Sequence, residues 1–204
     1  SVIDQASVQQ GLRNLLERHL LSSNADPSDA SLKRFVMSDG VREFSRARAA
    51  ADADGPRVEA AHAQHFNALA LRASECLHKG QLAQARSVFV AATAEIDIAL
   101  RWMREYGDVE VYLDRCWQHG KVQWLFGATR ASIELLRDAV AIPVQSNAAR
   151  LHSARCNCIL SAAVENYGDL RAAMGPALRA RQLARGVDDG VLDCRVACRL
   201  ARLW

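Results

Sequence analysis

The sequence predicts an all-α chain. Alanine, leucine and arginine dominate, while only 4 prolines and 11 glycines are spread over 204 residues. Apolar residues recur at helical spacing through most of the length, and no segment shows the period-two alternation of β-branched residues that marks a half-buried strand. Half of the residues are apolar, enough to bury a substantial core in one domain or in an elongated array of small units.

The elements follow in order. A first helix runs from about Asp4 to Leu21, with Val8, Leu12, Leu15, Leu16, His19 and Leu20 on one stripe, and stops in the turn-rich cluster SSNADPSD. A shorter segment carries Leu32, Phe35 and Val36. After SDG another carries Val41, Phe44 and Ala47, until the alanine-rich run breaks at DADGP. Residues 1–55 therefore read as N-terminal helices forming a decayed repeat or a cap, and residues 56–204 as the main helical array. Pro56 suits the first turn of the next helix, where its missing N–H has no intrahelical acceptor, and Glu59 suits the helix dipole there. That helix reaches His78 and ends at Gly80. The next runs from Gln81 to about Tyr106, with Gly107 as a stop and Asp108 as an N-cap. Further helices are expected over 109–126, 128–141, 147–167, 169–185 and 190–204.

Three of the turns repeat a pattern. Around Gly80, Ala73 lies seven residues before, and Leu82, Ala85, Phe89 and Ala92 lie two, five, nine and twelve after. Gly127 has Gly120 before it and Thr129, Ser132, Leu136 and Ala139 after, and Gly168 has Ser161, then Leu170, Ala173, Ala177 and Ala180. Small residues thus recur where helices must approach closely. Gly107 is a control that fails: the same offsets place Tyr112, Cys116 and His119 at the small, large and small positions.

In these residues the chain resembles the tetratricopeptide repeat, a helix-turn-helix unit with a small residue in its first helix and small, large and small positions in its second. The resemblance covers about residues 66–204, with the three glycines 47 and 41 residues apart, longer than the standard unit of about 34. The consensus tryptophan of the first helix is replaced by Leu69, Cys116 and Asn157, and the large position of the third unit is Ala177. Gly175-Pro176 is expected to bend the second helix of that unit. Gly40 marks a decayed unit or cap, spoiled by Lys33 and Asp52, and VLDCRVACRLARLW reads as the first helix of a fourth unit without its partner. The resemblance implies antiparallel helix-turn-helix units stacked into a right-handed superhelix, with the first helices lining a concave surface.

That register turns a defined set inward: Asn67, Ser74 and His78, then Asp114, Trp117, Lys121 and Trp124, then Arg155, Glu165, Asn166, Arg195 and Arg202. Tryptophans beside lysine and arginine suit a groove for a peptide or ligand, the aromatic rings giving contact area and the guanidinium groups taking carboxylates. The competing reading makes Trp117 and Trp124, seven apart, core residues on one stripe, and the arginines a solvated helix face. Some tetratricopeptide proteins hold a chaperone's C-terminal carboxylate through a Lys and Asn set, but Ala70 and Ser74 stand at the matching places here. The resemblance implies a non-catalytic module that binds a protein or peptide or controls an attached output domain, with a small ligand as another occupant and the C-terminal helix as a surface for self-association.

Other functional classes find less support. Charge is nearly balanced, 26 basic against 23 acidic residues for a net +3, with no strong footprint for nucleic acid; the alternative is a nucleic-acid-binding regulator using RARQLAR and CRVACRLAR. Histidines 19, 62, 65, 78, 119 and 152 are scattered, and no Gly-rich phosphate loop, His-Glu-x-x-His or Gly-x-Ser-x-Gly is present, so no catalytic residue, metal or cofactor is expected. Cysteines 76, 116, 156, 158, 194 and 198 form no Cys-x-x-Cys pair and read as packing residues of a reducing cytoplasm; Cys194 and Cys198, with Cys156 or Cys158, are the one combination that would make a redox or metal site. No apolar run approaches the roughly 20 residues needed to cross a bilayer. The N-terminus has neither an initiator methionine nor a signal-peptide pattern, as expected of an excised segment. The arginine and alanine bias with three lysines points to a GC-rich bacterial source, where such arrays resemble input domains of transcription activators or cyclic-dinucleotide synthesising enzymes.

Overall fold

The structure, a computed structural model, describes residues 5–26, 29–50, 54–187 and 189–204. Among them are nine helices and one β-hairpin. Two compact units divide the chain, Ser1–Ala61 and His62–Trp204, a division that falls inside a helix.

The first unit contains α1 (Gln5–Glu17), β1 (Leu21–Asp26), β2 (Asp29–Met37) and α2 (Asp39–Ala50). The expected first helix ends early because His19 adopts a left-handed conformation with φ of 56°. The Leu20 amide then reaches back to the Leu15 carbonyl at 2.9 Å, closing the helix end. The hairpin corrects the expectation of a helix carrying Leu32, Phe35 and Val36. These residues lie on β2, which pairs antiparallel with β1 from Leu21↔Met37 to Ala25↔Lys33. A nine-residue segment between two turn clusters is too short for a stable isolated helix, whereas pairing with β1 satisfies its backbone locally. Gly40 sits in the first turn of α2 directly after this hairpin, so no helix-turn-helix is centred on it.

The second unit is helical throughout. α3 (Gly55–His78) enters it, followed by α4 (Leu82–Tyr106), α5 (Val109–Leu125), α6 (Thr129–Val140), α7 (Asn147–Asn166), α8 (Leu170–Ala184) and α9 (Gly190–Leu203). Adjacent helices pack from α4 to α9, and the alternate helices α5, α7 and α9 also touch in succession. Side chains supply the caps: Asp108, Ser146, Asp169 and Asp189 each accept a backbone N–H in the first turn of α5, α7, α8 and α9. α8 continues through Pro176.

The three glycines singled out by the repeat share one turn geometry. Gly80, Gly127 and Gly168 have φ of 73°, 90° and 96°. In each case the amide after the glycine bonds a carbonyl five residues back: Gln81 to Cys76, Ala128 to Gln123 and Asp169 to Val164. This is the Schellman end of a helix, which needs a left-handed residue. Gly107, the failed control, has φ of −95° and extended ψ. The small positions are all buried: Ala73, Gly120 and Ser161 before the turns, then Ala85, Ser132 and Ala173, then Ala92, Ala139 and Ala180. Leu82 and Leu170, by contrast, are exposed and take no part in the packing stripe.

Ser132 shows why small residues are required. Its hydroxyl donates to the Gly120 carbonyl at 2.8 Å, so the backbone of α5 lies directly under α6. One apolar cluster joins α3 to α7, including Ala70, Ile96, Leu113, Leu136 and Leu160, and a second joins α7, α8 and α9 through Ala154, Ala177, Leu192 and Leu200. Phe89 is half-buried, its ring 5.7 Å from Phe126, a packing role. No helix among the described residues is long and apolar enough to cross a membrane.

Candidate partner-binding pocket

One pocket of about 330 Å³ is formed by residues from the alternate helices. α3 contributes His78 at its last turn, α5 contributes Trp117, α7 contributes Arg155, and α9 contributes Val191, Leu192 and Arg195 with Asp189 just before it. These helices are far apart in sequence and meet only through tertiary packing.

A chain of contacts organises the walls. The Trp117 indole N–H donates to Asp114 Oδ1 at 3.0 Å, and Gln118 donates to Asp114 Oδ2 at 2.8 Å. Arg115 pairs with the same carboxylate, and His152 stands 3.3 Å from it. Burial holds the His152 imidazole below its ordinary value even so. With its ring edge anchored, Trp117 presents a face to the Arg155 guanidinium, 5.3 Å from the ring centre, a cation–π distance. Arg155 Nη2 in turn donates to Asp189 Oδ2 at 2.8 Å, while Asp189 Oδ1 accepts the Leu192 amide at 3.1 Å. Those bonds, Arg155 first, hold the Asp189 carboxyl below the usual carboxylate range. Asp189 therefore caps α9 and neutralises Arg155 together.

The other cations lie beside this pair. Lys121 Nζ donates to His78 Nε2 at 3.5 Å. Burial, and then the charge of Arg195, hold the half-buried Lys121 ammonium below its ordinary value. The His78 imidazole is lowered by burial first, then by Lys121 and Arg195. The His78 ring also meets Trp117 edge-on, 6.5 Å between centroids.

Of the residues the sequence turned inward, His78, Trp117, Arg155 and Arg195 line this pocket. Lys121 flanks it through His78, and Asp114 supports Trp117 from below. The remaining residues lie elsewhere. Asn67 is half-buried on α3, its carbonyl oxygen without a hydrogen-bond partner, as is the buried Ser74 hydroxyl. Trp124 packs against the main core. Glu165 is half-buried in ion pairs with Arg199 and Arg202, the latter at 2.9 Å, and Asn166 is exposed at the end of α7. Trp117 itself is only 8% exposed, so it serves the core and the pocket at once.

Sequence reasoning missed Asp189, Val191 and Leu192. The Asp-Gly pair at 189–190 is a readable helix start, but its carboxylate reaches α7 only through tertiary packing. It also missed a buried polar cluster between α4 and α5, where His119 Nε2 lies 3.2 Å from Asp97 and Gln123 donates to the same oxygen at 3.2 Å. Among the described residues no group of three His, Cys, Asp or Glu is placed to hold a metal. The cysteine combination is not assembled: Cys156 and Cys158 are buried in different clusters, and Cys194 and Cys198 are exposed. Burial raises the Cys156 and Cys158 thiols and pushes Cys116 up to about 12, which suits packing rather than reactivity.

Compared with protein-family models, curated proteins and solved structures, the chain has no significant match.

Proposed function

We propose that the chain is a non-catalytic interaction or sensory module, a tetratricopeptide-like right-handed superhelix whose pocket holds a segment of a protein partner or of an attached output domain. The observation that carries this reading is the convergence of His78, Trp117, Arg155 and Arg195 from α3, α5, α7 and α9 on one pocket. A groove built from alternate helices is what stacked helical hairpins offer a ligand. Among the described residues that line the pocket the one carboxylate, Asp189, is already engaged by Arg155 and the α9 cap, so it is not poised as a general base. Nucleic-acid binding by the C-terminal helices is the weaker reading, because Glu165 engages both Arg199 and Arg202. By analogy with similar arrays, the module serves as the input domain of a larger bacterial signalling protein in the cytoplasm.

The test is peptide-display selection against the intact chain, followed by binding of selected peptides to Trp117→Ala and Arg195→Glu. Both variants are expected to lose binding at least tenfold while far-ultraviolet circular dichroism stays near wild type. Unchanged binding in both would sink the groove.

A further inference from the structure

The charges around the pocket do not balance. Arg155 is matched by Asp189, but among the described residues neither Lys121 nor Arg195 forms an ion pair. Lys121 lies 3.5 Å from His78 and Arg195 lines the pocket with His78, and the charges that lower Lys121 and His78 are those of cations. Gathering like charges in a partly desolvated site opposes folding, and a bound anion offsets that cost. Two uncompensated cations call for a dianion.

Geometry narrows the chemistry further. His78 and Arg195 enter the pocket from α3 and α9, and Lys121 flanks it from α5. A carboxylate has two coplanar oxygens and one negative charge. A phosphoryl group has three terminal oxygens pointing in different directions and a charge of about −1.5 to −2 at neutral pH, and it accepts charge-assisted bonds from Arg, Lys and helix amides. The volume of about 330 Å³ suits a single such group with a small organic body beside it.

We propose that the pocket is a phosphate-monoester site, with Arg195 and Lys121 as the cationic ligands, His78 as a third polar contact and the Trp117 ring as the wall for the ester's organic part. The proposal rests on the reading of this pocket as the binding site of the module and names what it binds. Two sources share the chemistry, a free small phosphate ester and a phosphorylated residue of a peptide.

Titration calorimetry on the intact chain at constant ionic strength distinguishes them, with inorganic phosphate, O-phosphoserine, a phosphoserine peptide and acetate as probes. Phosphate and O-phosphoserine are expected to bind at least tenfold more tightly than acetate. Lys121→Met and Arg195→Gln, which remove the charges while keeping most of the side-chain volume, are each expected to weaken phosphate binding at least fivefold with the thermal midpoint unchanged or raised. A peptide that binds more tightly than free O-phosphoserine identifies the source as a phosphorylated partner, and equal affinity identifies a small ester; either supports the site. Absence of phosphate binding, parity with acetate, or affinity unaffected in both variants overturns it. Peptide binding that depends on Trp117 and Arg195 but tolerates phosphate-free ligands refutes the phosphate site and leaves the module standing. Phosphate binding with no Trp117-dependent peptide does the reverse.

Discussion

Gly120 gives the sharpest test of the close approach between α5 and α6. A Cβ placed there would meet Leu136 Cγ at 2.9 Å, Cδ2 at 3.0 Å and Cδ1 at 3.1 Å. Leu136 is fully buried, and the neighbouring Ser132 to Gly120 carbonyl bond pins the two helices together. Gly120→Ala gains about 1 kcal/mol of helix propensity but forces overpacking worth about 1–3 kcal/mol. The expected net destabilisation is up to about 2 kcal/mol, a fall of up to roughly 4–8 °C in thermal midpoint for a domain of this size. Leu136→Ala alone is expected to cost about 2–5 kcal/mol through its cavity. In that background the clash is gone, so Gly120→Ala becomes stabilising by up to about 1 kcal/mol. Urea denaturation of the four proteins of this cycle measures the coupling between the sites. A Gly120→Ala variant more stable than wild type, or effects that simply add, would refute the close-approach argument.

The remaining predictions concern turns, caps and thiols. Gly80→Ala, Gly127→Ala and Gly168→Ala have open space around the new Cβ but a left-handed backbone, so each is expected to cost about 1–2 kcal/mol, with Asn at the same sites costing less; equal losses for Ala and Asn in denaturation would argue against the backbone cause. Asp189→Asn retains a capping side chain but loses the charge on Arg155, whereas Asp189→Ala also loses the cap, at about 1 kcal/mol more. Because the folded carboxyl titrates below its ordinary 3.8, its stabilisation is complete above that value and disappears as the pH falls through the lower folded one. The wild-type advantage over Asp189→Asn should therefore be level from about pH 5 upward and shrink in acid; an advantage that grows in acid would contradict the assignment. Cys194 and Cys198 are expected to react with a thiol reagent in the native protein, and Cys76, Cys116, Cys156 and Cys158 only after unfolding, as a time course of thiol release would show.

Much of the helical array is legible in the sequence because its signals are local. A glycine that must turn left-handed, a cap such as Asp108 and a stripe of small residues each act within a few positions, and the starts and ends of α5 to α9 follow from them. The same reasoning fails over residues 21–37, where Phe35 and Val36 suit helix or strand equally well and pairing with β1 decides the matter. His19 likewise gives no local warning that it will close α1.

The pocket lies between these extremes. Helical register was enough to select His78, Trp117, Arg155 and Arg195 as facing one way, because residues on one face of a helix share a direction wherever the helix is placed. Register could not separate them from Trp124, which the core takes, or from Glu165, which Arg199 and Arg202 take. Nor could it give Asp189 its role, since a carboxylate at 189 and a guanidinium at 155 meet only when α9 docks on α7. Over residues 82–204, sequence alone determined the helices and their turns. Tertiary structure decided which helix faces meet and which charges are left without a partner, because long-range packing, not local propensity, sets the distance between groups on different helices.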